Sequence, residues 1–199
     1  MEMTALKTEI TPEDILDPAA YDAVRKERKT AIVAAKKDRR LSIGPDAMIY
    51  FESFETMWLQ IQEMLRIEKG GAEQLVDELA AYNPMVPKGR NLSATFMIEI
   101  DDETRRDRVL GQLGHIDQTI SINFAGQQVI ARPDDDTDRT DEDGKASSVH
   151  FLLFDFTDDQ ASIFRETSED IVISVGQENY RHMAVMPSAM QSALAGDFS

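Results

Sequence analysis

The 199 residues contain no cysteine. That excludes disulfides, thiolate metal sites, a cysteine nucleophile and cysteine-ligated iron–sulfur clusters within the chain. No stretch approaches the ~18–20 consecutive apolar residues of a membrane span. The opening "MEMTALKTEITPED" has no basic segment followed by an apolar run, so a secretory signal is not expected. The reading is a soluble, cytoplasmic protein. Also missing are a G-x-S-x-G elbow, a phosphate loop and a dinucleotide-binding glycine fingerprint. "GPDAMIYF" and "GQLGH" lack the glycines and lysine that a phosphate cradle needs.

Positive charge is scarce: 21 Lys and Arg stand against 37 Asp and Glu, for a net −16. Such a balance disfavours nucleic acid as a partner. The scarcity is uneven. Arg25, Lys26, Arg28, Lys29, Lys36, Lys37, Arg39 and Arg40 fall within sixteen residues that hold two acids, a local +6. Tyr21 is the only aromatic nearby, too little for base stacking. These eight cations are expected to bind a partner, either an acidic protein surface, the chain's own acidic body or a second copy of it.

Hydrophobic content of 42% over this length predicts one packed domain with an extension. Thr11 and Asp17 cap helix starts, each followed by proline, and a long helix is expected over 18–38. "LSIGPDAMIYFES" reads as strand, turn and strand. Ser53 caps a helix over about 54–69 that Gly70-Gly71 ends, and a second runs over 72–82 to Asn83-Pro84. Strands are expected at "LSATFMIEI", "TISINF", "VIAR", "SSVHFLLFDF" and "DIVISV", with helices at "DDETRRDRVLGQLGHID" and "TDDQASIFRE". The fold class is α+β: a mostly antiparallel sheet with packed helices and a helical N-terminal arm. Residues 1–40 form the basic arm and 41–199 the α+β domain, with an acidic loop at 133–145. The C-terminal part is expected to be a flexible tail, with Met183, Met186, Met190 and Leu194 at helical spacing.

On a helical wheel, Phe54, Met57, Trp58, Ile61, Met64 and Leu65 make the core face of the 54–69 helix, and Glu68 falls in its middle. A carboxylate there also meets the negative end of the helix dipole, so it is expected to be shielded and paired with a cation. Glu63 and Arg66 flank the stripe. The charges are read as a polar seam where the helix meets a second layer. An enzymatic alternative uses the same residues. Glu63 or Glu68 would act as base and Arg66 would hold an anionic substrate, completed by Tyr82 and His150.

No metal or other cofactor is expected. His115, His150 and His182 lie in no Glu-x-x-His pair. Asp134, Asp136 and Asp138 alternate as a calcium loop begins, but Arg139 stands where that loop needs glycine.

The runs "IGPDAMIYFESFETMWLQIQEMLRIE", "ELAAYNPMVPKGRNLSATFMIEI" and "SSVHFLLFDF" resemble a bacterial family of unknown function, domain of unknown function thirty-five-oh-one. The resemblance spans about residues 11–182. It groups Gln62, Glu63, Met64, Arg66 and Glu68 in one motif, Tyr82, Asn83 and Pro84 in a second, and His150-Phe151 in a third. It leaves the acidic loop and methionine-rich tail as local additions. It implies no reaction. Members are encoded beside rubrerythrin-like and heterodisulfide-reductase-type iron–sulfur proteins, which implies a redox protein as partner. The functional expectation is a non-catalytic accessory protein that docks such a partner.

Overall fold

The structure is a computed structural model that describes residues 6–134 and 139–199. Its architecture is α+β, built on two antiparallel sheets. The first has the order β1 (Arg40–Ile43), β2 (Ala47–Phe51), β3 (Asn91–Ile98), β7 (Val149–Asp155) and β6 (Arg132–Pro133). The second runs β5 (Gln127–Ile130), β4 (Ile120–Phe124), β8 (Val172–Val175) and β9 (His182–Val185).

Alternation along the strands divides the molecule into three layers. In β7, His150, Leu152 and Phe154 are fully buried on one side, whereas Phe151 and Leu153 pack on the other. In β3, Leu92, Ala94, Phe96 and Ile98 follow the first pattern, and Ser93 and Thr95 point the other way. The larger core fills the space between the sheets, with Ile122, Val129 and Ile173 contributed by the second sheet in register. A smaller core joins the opposite face of the first sheet to α1 (Pro18–Ala35), α2 (Phe54–Glu68) and α3 (Gly71–Tyr82) through Tyr21, Trp58, Ile61, Leu79 and Leu153. The other helices are α4 (Glu103–Leu110), α5 (Asp158–Glu166) and α6 (Ser188–Ala195). Among the described residues no helix is long and apolar enough to cross a membrane.

The capping residues act as their chemistry requires. Asp17 accepts from the amides of Ala19 and Ala20, and Ser53 from Thr56. The first helix stops at Ala35. Residues 36–39 tighten into a 3-10 turn in which Asp38 leaves helical geometry, which swings Arg39 inward and starts β1 at Arg40.

The C-terminal residues are not a flexible tail. Their methionine spacing spans two elements: Met183 is exposed on β9, while Met186, Met190 and Leu194 are buried. Phe198 closes the inter-sheet core beside Phe156 and Phe164. Large apolar side chains at 190, 194 and 198 have more to gain inside that core than in water. His182 also packs closely over Gly44, whose φ of 73° and lack of a Cβ allow the approach. In the acidic loop, Asp141 accepts from the amides of Asp143 and Lys145, and Lys145 pairs with Asp107. Asp136 and Asp138 of the calcium-like alternation lie outside the described residues.

Candidate functional site

The seam between α1 and α2 is built on Glu63. Its Oε1 accepts from the Tyr21 hydroxyl at 2.6 Å and from Arg25 Nε at 2.7 Å. Its Oε2 accepts from Arg25 Nη2 at 2.8 Å and Lys29 Nζ at 3.3 Å. Tyr21, Arg25 and Lys29 are four residues apart, one helical turn each, so one face of α1 delivers all three donors. The fork of Arg25 takes both carboxylate oxygens, the strongest geometry for this pair. Arg25 first, then Tyr21 and Lys29, hold the Glu63 carboxyl at about 2, against the opposing effect of burial. Burial and the same carboxylate push the Tyr21 hydroxyl up.

A consequence for acid stability follows. The folded-state value of Glu63 lies below its unfolded value, so its stabilisation is complete above the ordinary carboxylate range. It is lost as the pH falls through that range toward about 2. With allowance for solvent screening, this is about 1–2 kcal/mol. Glu63→Gln should lower the urea-unfolding free energy by that amount at neutral pH, and the gap to the parent should narrow near pH 3.

Glu68 does not have the expected role. It is exposed, pairs with no cation among the described residues, and accepts from Gln74 Nε2 at 3.1 Å. Residues 66–73 are exposed without a break, so the α2–α3 corner stands in solvent and the wheel position of Glu68 faces no core. Lys69 ends the helix in the left-handed region at φ 56°. Ile67, on the outer side, is 66% exposed. Glu68→Ala should therefore shift the denaturant midpoint by less than about 0.5 kcal/mol equivalent.

The five catalytic candidates do not converge. Arg66 pairs with Asp22 at 2.7 Å on the exposed flank of α2. Tyr82 packs in the smaller core, its hydroxyl 3.4 Å from Gln60 Nε2. His150 points to the opposite side of the first sheet, into the inter-sheet core. There it lies 3.3 Å from Asp117 through Nδ1 and 2.9 Å from the Ser147 carbonyl through Nε2. A β-sheet separates it from Glu63, Arg66, Glu68 and Tyr82. The Asp117 carboxyl, which burial alone would raise, ends below its ordinary value because of His150. The pair joins β7 to the turn Ile116–Thr119 and has no exposed edge. Among the described residues no group of three or more His, Asp or Glu is arranged to hold a metal ion.

The basic arm is split between two faces. Arg25 and Lys29 are committed to Glu63. Arg39 is committed to Asp197, with Nη1 to Oδ2 at 2.8 Å and Nη2 to Oδ1 at 2.7 Å. Arg28 lies over Trp58, its guanidinium carbon 5.5 Å from the ring centre. Lys26, Lys37 and Arg40 are exposed, Lys36 is half-buried, and none of the four forms an ion pair among the described residues.

Three polar contacts were not expected from the sequence. The Arg39–Asp197 clamp joins residues 158 positions apart. Glu52, 6% exposed, accepts from the hydroxyls of Thr56 and Thr95, both at 2.7 Å. Asn83 accepts from the Ile10 amide at 2.8 Å and donates to the Ile10 carbonyl at 2.9 Å, fastening the N-terminal segment to the end of α3. Only the last had a local signal, a side-chain amide at a helix end before proline.

The model of the family described as "Protein of unknown function (DUF3501)" matches residues 9–198, and the chain belongs to that family. The match takes in the C-terminal region, which is thus part of the family fold rather than a local addition. No curated protein matches the chain. A crystal structure of a novel protein of unknown function from Burkholderia pseudomallei is similar, with 34% identity and a TM-score of 0.87 over 96% of this chain and 99% of that one.

Proposed function

We propose that this member of the family is a non-catalytic accessory protein that docks an acidic protein surface on the outward side of α1 and the turn that follows it. The observation that carries the reading is the division of the basic arm. Arg25, Lys29 and Arg39 are consumed internally, yet Lys26 and Lys37 remain exposed and without an acid partner among the described residues. Val33, 63% exposed, lies between them. Seven residues separate Lys26 from Val33, which places those two on one stripe of α1, and Lys37 follows in the 3-10 turn after the helix. Two unneutralised cations around an exposed aliphatic, on a molecule of net −16, suit a complementary acidic patch. A redox protein is the partner class the family resemblance implies.

The test is a tagged pull-down from the native cell, with the wild type beside Lys26→Glu/Lys37→Glu. The wild type should retain a protein that the variant loses and that elutes as salt is raised. Metal analysis of that protein tests the redox class. Recovery of the wild type alone, or of the same partner with the variant, contradicts the reading.

A further inference from the structure

We infer that the cleft between the N-terminal segment, α1 and α2 is a binding site for a small amphipathic monocarboxylate, an aliphatic or arylalkyl acid. The inference is independent of the docking surface, which lies on the outward side of α1 and the turn that follows it. The cleft has a volume of about 810 Å³, within the range of small-molecule sites. Leu16, Ile32, Phe54 and Trp58 form its apolar wall. Water in such a space gains little from the wall, and an apolar chain placed there is removed from solvent.

The charges around the cleft select one anionic group. Lys7 is paired with Asp14, and Arg39 with Asp197, so two lining cations are already matched. Arg28 is the lining cation with no acid partner among the described residues, and it lies on the Trp58 ring. A guanidinium over the indole with no acid partner has N–H groups to offer, and its fork fits a carboxylate with two parallel hydrogen bonds. Glu55 also lines the cleft, close enough to the Asp197 carboxylate to act on it, and would repel a second negative charge. A di- or triphosphate therefore fits poorly, whereas one carboxylate on an apolar body matches Arg28 and the apolar wall.

Trp58 is the single tryptophan, so its emission reports on this cleft without labelling. The full chain is titrated with octanoate, with 1-octanol as the uncharged control. A saturable change of Trp58 emission with octanoate at submillimolar concentration is expected, absent with octanol. Arg28→Gln should weaken binding about tenfold or more. Ala31→Phe, which places a ring into the cleft from α1, should abolish it. Both positions are exposed, so each variant is expected to fold, which a melting curve checks. An emission response that does not saturate at millimolar octanoate overturns the inference. So does unchanged affinity in Arg28→Gln, or an equal response to octanol.

Discussion

Arg39→Ala is expected to destabilise the protein by about 3–5 kcal/mol, because it leaves a buried carboxylate with no counter-ion. The guanidinium side chain is 11% exposed and the Asp197 side chain 9%. Besides its two bonds to Asp197, Arg39 donates to the Glu52 carbonyl at 3.0 Å and the Ala193 carbonyl at 3.2 Å. One side chain thus ties the end of the basic arm to the link between β2 and α2 and to the end of α6 with the turn after it. Burial already raises the Asp197 carboxyl, with Arg39 opposing. In the variant the opposing charge is gone, so Asp197 must either take up a proton or draw α6 toward water. A folded-state value above the unfolded one makes stability rise as the pH falls through it, so the deficit should shrink on mild acidification. Arg39→Ala/Asp197→Asn should recover part of the loss, since the unmatched charge is removed along with its partner. Urea unfolding of the parent, the single variant and the double variant measures all three effects. Equal losses in the single and double variants would show that the charge itself is unimportant.

Phe198→Ala should cost about 3–5 kcal/mol, the range for deleting a buried aromatic ring. Phe198 is 7% exposed although it is the penultimate residue. Its ring lies 4.9 Å from Phe156 and 5.7 Å from Phe164, edge to face in both cases, and Arg165 covers it at 5.7 Å. Beyond it, the Ser199 amide donates to the Gly89 carbonyl at 3.0 Å, so the backbone is fastened on the far side of the ring. The cavity would open in the core that holds the sheets together. The change is read as a lower thermal midpoint with loss of a single cooperative transition. A shift under about 0.5 kcal/mol equivalent would mean that the C-terminal residues are loosely held.

Much of the fold was legible because its signals are local. Caps at Asp17, Ser53 and Thr157 mark three helix starts, and the alternation of "SSVHFLLFDF" marks a central strand. The strand at 182–185 was missed because its methionine coincides with a helical spacing that continues into α6. A polar seam on α2, where it meets a second layer, was legible from the charges flanking its apolar stripe, but not that α1 is that layer. Its central acid was misplaced. The wheel treats every turn of a helix as equally covered, whereas burial along α2 ends before Arg66. Glu63, slightly off the core stripe, sits at the depth that α1 covers, and Glu68 projects past it. The Arg39–Asp197 clamp spans 158 residues in sequence, a separation at which a single sequence carries no pairing signal.

The basic helix α1 is a structural layer, held to α2 by the Arg25–Glu63 pair. A double-mutant cycle on Arg25→Gln and Glu63→Gln, read by urea unfolding at neutral pH, tests this most directly. If Arg25 and Glu63 bind α1 to α2, the second substitution adds little once the first is present, and the losses are clearly non-additive. Losses that sum within about 0.3–0.5 kcal/mol would mean that the two side chains do not depend on each other, and the helix would have to be held by its apolar face alone.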